Sequence, residues 1–275
     1  MTGRWAGTAA AAVLIVASAL PAAARELSLE GPLTQGGLVI ARGGAGIAVT
    51  VDGRAVRVSP EGLFLVGFGR DAPPTVEVRV RYRDGVTTVR VLHVARRTYQ
   101  VQRIDGLPPR TVTPTPEDLE RIRLDGAAIA AVRARDSSPA DFASRFQWPV
   151  RGRVSGVFGS QRILNGKPRN PHGGVDVVAP RGTPVVASAG GVVVLAHPDM
   201  FFTGRTVMID HGHGLATVYA HMSEILVAQG QPVARGTPIG RVGASGRATG
   251  PHLHWGVSLF GTRLDPALLA GPMPK

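Results

Sequence analysis

Histidine is concentrated in one stretch of this 275-residue chain: seven of the eight histidines lie between positions 172 and 254. His172 and Asp176 form an H-x-x-x-D unit, and a neutral imidazole with a carboxylate makes a suitable pair of zinc ligands. The intervening Gly-Gly-Val argues against a helix. We therefore expect a loop that enters a strand over Val175–Val178, with Asp176 on the strand. Because such a unit often arises by chance, further ligands must support it.

A second unit, His252-Leu253-His254, lies at the expected start of a strand after Gly250-Pro251. Side chains on a strand alternate with a period of two, so both imidazoles point to one face and Leu253 and Trp255 point to the core. One imidazole can then bind a metal while the other faces a substrate. His221 follows the expected strand Thr217–Tyr219. A histidine beside a metal can orient water, stabilise a developing charge or move a proton.

The order and surroundings of these units resemble peptidase family M23, the lysostaphin and LytM type, over about residues 146–268. The matching segments are Pro171-His172-Gly-Gly-Val-Asp176, Ala179-Pro180-x-Gly182-Thr183-Pro184-Val185, Ile209-Asp210-His211-Gly212, Thr217-x-Tyr219-Ala220-His221 and Gly250-Pro251-His252-Leu253-His254.

The resemblance implies one zinc ion bound by His172, Asp176 and His254, with water in the fourth position, which is the arrangement expected of a catalytic zinc. It also implies that His221 and His252 are catalytic histidines that do not bind the metal. We expect His252 to activate the water and His221 to stabilise the oxyanion or protonate the leaving amine, although the sequence does not decide between the two histidines. Relatives that only regulate other wall hydrolases usually lack some of these five residues, and all five are intact here.

The remaining histidines have simpler explanations. His211 and His213 flank Gly212 in an expected hairpin turn, where two rings need not share a face, and we assign them a structural or rim role. His197 falls in another loop, and His93 is a lone histidine in a strand. Upstream of the zinc loop, Arg162 and the Asn165–Pro168 turn form either one wall of a substrate groove or an exposed loop.

The elements that must position these residues are mainly strands. An N-terminal β domain over residues 25–113 is expected to be a small sandwich or barrel, because short β-rich runs alternate with turn signals such as Asp52-Gly53 and Asp84-Gly85. Its runs are Gly46–Val51, Ala55–Val58, Leu63–Phe68, Thr75–Tyr82 and Thr87–Val94. A helical linker over 114–145 is expected to contain a helix, Pro116–Arg135, capped by Thr115 and weakened at Gly126.

The C-terminal residues 146–275 form a second β-rich domain, of LytM-like peptidase type by the resemblance. Its expected strands are Val185–Ala187, Gly191–Ala196, Thr206–Asp210, Ala216–Tyr219, Pro238–Val242 and His254–Leu259. No long helical pattern separates them, so the fold class is mainly β.

Composition limits the compartment and the ligands. Residues 1–24 combine Arg4, an apolar run and an A-x-A site, which is typical of a signal peptide; we therefore expect an exported protein, periplasmic or secreted, with no membrane span after cleavage. The chain has no cysteine, so a metal must be held by His, Asp, Glu or water. The net charge of +12 is scattered among arginines without a nucleic-acid motif, and we expect no nucleic-acid partner.

The resemblance therefore implies a zinc endopeptidase that cuts peptide stems or cross-links of peptidoglycan. Two alternatives stay open: a non-hydrolytic activator of other wall hydrolases, and a peptidase that acts on proteins. The N-terminal domain is expected to bind the wall, shield the groove or contact a protein partner, and its sequence does not choose among these roles.

Overall fold

The structure is a computed structural model that describes residues 27–274. The expected signal peptide over residues 1–24 lies outside these residues. The described chain is mainly β, with its longest helix between two β-rich parts, which confirms the predicted fold class. Within residues 27–274, no helix is both long and apolar enough to cross a membrane.

The N-terminal part contains seven strands: β1 (Ser28–Glu30), β2 (Leu38–Arg42), β3 (Ala48–Val51), β4 (Arg54–Val56), β5 (Leu63–Gly67), β6 (Thr75–Arg81) and β7 (Thr87–His93). They form one sheet in the order β1-β2-β5 and another in the order β4-β3-β6-β7. The second sheet shows the alternation expected from its sequence, since Val76, Val78 and Val80 are buried and Arg79 and Arg81 are exposed. Valines of β6 share one hydrophobic core with Val39 and Phe64 of the first sheet, so the two sheets face each other.

The segment that follows contains β8 (Val101–Ile104), α1 (Pro109–Val112), α2 (Pro116–Arg133) and a 3-10 turn, Asp141–Ala143. Thr115 caps α2, because its backbone N–H donates to the Asp118 carboxylate at 3.2 Å. The helix runs through Gly126 without a break and ends two residues before the predicted Arg135. Ala134 is its C-cap, and the Ala134 backbone N–H donates to the Ala130 carbonyl oxygen.

The C-terminal part contains twelve strands and a short helix: β9 (Arg153–Gly156), β10 (Gln161–Leu164), β11 (Lys167–Arg169), β12 (Val175–Val178), β13 (Pro184–Val186), β14 (Gly191–Met200), β15 (Gly204–Asp210), β16 (Leu215–Ile225), β17 (Pro232–Val233), β18 (Pro238–Val242), β19 (His252–Leu259), β20 (Thr262–Leu264) and α3 (Pro266–Ala270). The large sheet has the order β17-β14-β15-β16-β19-β12-β9, and β10 and β11 form a separate small sheet with β8.

The N-terminal and C-terminal parts are packed against each other. Strand β8 pairs in parallel with β10, which brings Gln102 opposite Arg162. Leu38 and Leu65 of the N-terminal part belong to the hydrophobic core that also contains Tyr219 and Trp255 of the large sheet. An ion pair between Arg97 and the buried Asp265, at 2.8 Å, joins the two parts again. Contacts with the N-terminal part therefore stabilise the large sheet.

Candidate metal and catalytic site

Strand register brings the separated histidine units together. Strand β19 lies between β12 and β16 in the large sheet. Its register places His254 opposite both Asp176 on β12 and Ala220 on β16, and it places His252 opposite Val178. Leu253 and Trp255 are fully buried between these positions. The period of two in the H-x-H unit therefore divides β19 into a histidine face and a core face.

His172, Asp176 and His254 form a compact cluster that could hold a metal ion, with one ligand atom from each residue within 4.8 Å of the others. Nε2 of His172 lies 3.0 Å from Oδ1 of Asp176 and 3.0 Å from Nδ1 of His254. Nδ1 of His254 lies 2.8 Å from the same carboxylate oxygen. Nitrogen and oxygen ligands of tetrahedral zinc lie about 3.3 Å apart, so a small outward movement of these atoms would fit zinc.

Two other contacts orient the cluster. Nδ1 of His172 lies 3.1 Å from the Val157 carbonyl oxygen. A carbonyl only accepts hydrogen bonds, so Nδ1 carries the proton and Nε2 keeps the lone pair that a metal needs. Oδ2 of Asp176 accepts a hydrogen bond from the Arg162 guanidinium, which leaves Oδ1 for the cluster. A backbone carbonyl and one arginine therefore select which atoms His172 and Asp176 present to the cluster.

Glycines make room for this arrangement. Gly156 on β9 lies opposite Asp176, and a Cβ at this position would lie 2.4 Å from Oδ2 of Asp176. A Cβ at Gly174 would lie 2.3 Å from the Trp255 carbonyl oxygen and 3.0 Å from Cε1 of His254. Both positions require a residue without a side chain because the backbone passes so close to the cluster.

Replacing Gly156 with alanine is expected to displace the Asp176 carboxylate and weaken zinc binding roughly tenfold to a hundredfold, the range for disturbing the support of a metal ligand. Zinc affinity is measured by competition with a chelator of known affinity. Gly261→Ala is the matched control, because a Cβ there meets nothing within 4 Å. Equal zinc affinity in the two variants would show that the carboxylate does not need the space.

His221 and His252 lie beside the cluster. Their ring centroids are 4.7 Å apart, and the His221 ring lies 6.2 Å from that of His254. Nδ1 of His221 lies 2.8 Å from the Ser245 carbonyl oxygen, and Nδ1 of His252 lies 2.9 Å from the Gly250 carbonyl oxygen. Both rings therefore carry a proton on Nδ1 and, when neutral, a lone pair on Nε2. Each can accept a proton at Nε2.

Burial keeps the imidazoles of His221 and His254 neutral. Burial, with smaller contributions from the nearby His252 and His254, lowers the pKa of His221 to about 3. Burial also lowers the pKa of His254 to about 4 against the opposing effect of Asp176. Burial raises the pKa of Asp176, but its close contacts with the rings of His172 and His254 outweigh burial and hold that pKa well below the usual range. An ionised Asp176 beside a neutral His254 is the state that metal binding requires.

The backbone at His221 is unusual for this residue type. Its φ is +64°, in the left-handed region that non-glycine residues seldom adopt. The pairing of β16 is irregular on both sides of this point: with β15 it shifts between Tyr219 and Met222, and with β18 it shifts between Met222 and Glu224. This bulge interrupts the side-chain alternation along β16 and aims the His221 ring at the histidines of β19.

The other histidines lie apart from the metal cluster. His211 is buried, with Nδ1 on the Gly190 carbonyl and Nε2 2.8 Å from the Thr217 hydroxyl. His213 is buried against Phe142, with ring centroids 4.8 Å apart. His197 is half-buried on β14 and accepts a hydrogen bond from the Asp199 N–H. His93 is exposed at the end of β7. None of them belongs to a possible metal-binding group among the described residues.

Two cavities, of about 370 and 770 Å³, lie beside the cluster. Arg162, Leu164, His221 and Arg247 line both of them. Gln102 of β8 and Leu107 contribute to the smaller cavity, so the segment before the linker helix forms part of the groove wall. The sequence left open whether Arg162 lines the groove or lies in an exposed loop, and it did not predict that Arg247 and this segment line the groove. The one sequence signal for Arg247 was its position in the loop that leads to Gly250-Pro251-His252.

The chain is similar to known proteins over its C-terminal part. The model of Peptidase family M23 matches residues 170–266. Peptidoglycan DD-endopeptidase ShyA of Vibrio cholerae is 45% identical over 114 residues, which are 40% of this chain and 26% of that protein. DD-carboxypeptidase/endopeptidase Mpg of Neisseria meningitidis is 45% identical over 104 residues, or 38% of this chain and 24% of that protein. The match thus spans about a quarter of the length of these relatives.

One solved structure resembles nearly the whole chain. It is the crystal structure of a Pseudomonas aeruginosa protein assigned to peptidase M23, with 32% sequence identity and a TM-score of 0.67. The alignment covers 88% of this chain and 96% of that protein. The similarity therefore extends beyond the C-terminal part into the N-terminal sheets.

Proposed function

Because this chain belongs to peptidase family M23, we propose that it is an exported, zinc-dependent endopeptidase that hydrolyses peptide cross-links or stems of peptidoglycan. The observation that carries the proposal is the cluster of His172, Asp176 and His254 with two further histidines beside it. The names of ShyA and Mpg support the substrate class. The expected signal peptide supports export, which would place the protein where the wall lies.

We assign the metal to Nε2 of His172, Oδ1 of Asp176 and Nδ1 of His254, the three atoms that converge in the cluster. A bound zinc ion would polarise the scissile carbonyl and make its water a nucleophile near neutral pH. The three protein ligands leave a fourth position for that water. The donor set fits zinc, since two neutral imidazoles and one carboxylate are among its usual ligands.

His252 and His221 move the protons in this proposal. Each presents an unprotonated Nε2 while its Nδ1–H is held by a backbone carbonyl. His252 takes the proton of the attacking water at Nε2. The ring that has accepted a proton can donate it to the leaving amine, so the pair can complete a cycle without another acid. His221 stabilises the oxyanion or protonates the amine with a proton that its Nε2 has first received from the neighbouring His252.

The proposal is tested with the purified mature protein and peptidoglycan sacculi, with and without a chelator. We expect new amine termini only in the untreated sample, and we expect added zinc to restore cleavage after chelation. Mass spectrometry of the released muropeptides identifies the bond. Unchanged muropeptides in the presence of protein with bound zinc would contradict the endopeptidase proposal and favour a regulator of other hydrolases. Cleavage of protein substrates alone would favour the protein peptidase.

The proposal divides the chain into three functional parts. We assign the peptidase to residues 146–275, the linker to 114–145 and the N-terminal β domain to 25–113. The pairing of β8 with β10 and the joint core support a role for the N-terminal part in supporting and shaping the groove. We also propose that the N-terminal part contacts a protein partner.

A further inference from the structure

Arg247 occupies a distinctive place in the groove. It lies five residues before His252 and lines both cavities beside the metal cluster, together with His221. Its guanidinium lies 4.4 Å from the centre of the Phe202 ring, and its Nη1 donates to the Thr111 carbonyl oxygen at 3.3 Å. The side chain is half-buried. It is therefore held in position at the groove rather than extended into solvent.

The positive charge of Arg247 has no carboxylate partner among the described residues, because its side-chain contacts there are a carbonyl and an aromatic ring. A guanidinium offers five N–H donors in a planar fork that matches a carboxylate. The Thr111 carbonyl uses one nitrogen of that fork. Unused donors of a half-buried cation would be satisfied by an anion that enters the groove.

The surroundings strengthen this electrostatic preference. Among the described residues that line the two cavities, Asp176 is the one acidic residue, and the arginines are Arg153, Arg162, Arg169, Arg247 and Arg263. Arg162 is engaged with Asp176. Burial, with smaller contributions from Arg162 and Arg169, lowers the pKa of Arg247 to about 10, so Arg247 stays charged at neutral pH. Several like charges in a partly enclosed groove attract an anionic ligand.

We propose that Arg247 is a substrate-binding residue that selects peptides carrying a free carboxylate next to the scissile bond. This inference rests on the proposed function, and it defines the substrate class more narrowly: an acidic peptide rather than a neutral one. The carboxylate forms a charge-assisted, paired hydrogen bond with the guanidinium, and the Phe202 ring fixes the plane of the fork. Amidation of the carboxylate removes the charge and one acceptor.

The test compares two synthetic cross-linked stem peptides that differ only in whether the carboxylate next to the scissile bond is free or amidated. Cleavage rates and binding are measured separately, with binding followed by fluorescence anisotropy on chelator-treated protein. The proteins are the wild type, Arg247→Gln, Arg247→Lys and Arg181→Gln. Arg181 is exposed and lines neither cavity, so its variant matches the charge change alone. Circular dichroism and zinc content confirm that each variant is folded.

We expect the wild type and Arg181→Gln to prefer the free carboxylate by roughly tenfold or more in kcat/KM and in affinity, as charge-assisted hydrogen bonds allow. Arg247→Gln should lose this preference, because its kcat/KM and its affinity fall more for the free-carboxylate peptide than for the amidated one, and Arg247→Lys should keep part of the preference. Equal use of both peptides by the wild type would overturn the inference, as would an Arg247→Gln variant that slows both equally. If neither peptide is cleaved but carboxylate-selective binding depends on Arg247, the endopeptidase proposal fails and this inference stands. Absence of selective binding overturns the inference.

Discussion

Replacing His221 with alanine or asparagine is expected to abolish turnover while zinc stays bound. The ring lies beside His252 but outside the group of atoms that could hold a metal. Loss of a positioned acid or base lowers kcat by roughly a hundredfold to ten-thousandfold. Asparagine is the better variant, because the φ of +64° at this position suits asparagine more than most residues. Steady-state kinetics and zinc stoichiometry on the same preparations provide the measurement.

The control for His221 is His197→Asn, which removes a half-buried histidine that is bonded only locally, to the Asp199 N–H. This variant should keep both zinc and activity. Loss of zinc from His221→Asn would mean that the ligand set is misassigned. Retention of full activity would exclude His221 from proton transfer and from oxyanion stabilisation.

Replacing His254 with alanine is expected to remove both zinc and activity, whereas replacing His252 should remove activity alone. The two residues lie two positions apart on one strand, yet only Nδ1 of His254 approaches Asp176 and His172. Loss of an outer-shell partner weakens metal affinity by roughly tenfold to a hundredfold. Loss of a metal ligand should therefore weaken zinc affinity by more than that. Added zinc should raise the melting temperature of the wild type but not that of His254→Ala, because a ligand stabilises only the state that binds it.

The comparison of these two variants is its own control, since both remove an imidazole from the same strand and face. Zinc content by atomic emission and melting temperature with and without zinc distinguish them. If His252→Ala loses zinc and His254→Ala keeps it, the assignment within the H-x-H unit is reversed. If both keep zinc, the metal is held elsewhere.

Much of this architecture could be predicted from local pattern. The β-rich run Thr75–Tyr82 predicts a strand, and the structure has β6 over Thr75–Arg81. The period of two in His252-Leu253-His254 predicted that Leu253 and Trp255 are buried, and both are fully buried. Such predictions succeed because the two faces of a strand appear in the sequence as a local alternation of residue types.

Contacts between distant segments left no such signature. The parallel pairing of β8 with β10 joins residues about sixty positions apart. The segment Val-Gln-Arg-Ile at 101–104 is too short, and its apolar and polar residues too mixed, to predict this pairing. The hydrogen bond from Arg162 to Asp176 and the stacking of Arg247 on Phe202 depend on the same long-range packing. The left-handed backbone at His221 could not be predicted either, because histidine carries no preference strong enough to mark it. These features arise from tertiary structure rather than from local propensity.

The register between β12 and β19 links the chemistry to correct assembly of the large sheet. Asp176 faces His254 only in the pairing that the structure shows. A slip of one residue would send every side chain of β19 to the opposite face, so both histidines would enter the core and Leu253 and Trp255 would meet the groove. A misaligned sheet could therefore capture no metal through His254. Metal binding by the proposed ligands would therefore stabilise the correctly aligned sheet and not a misaligned one.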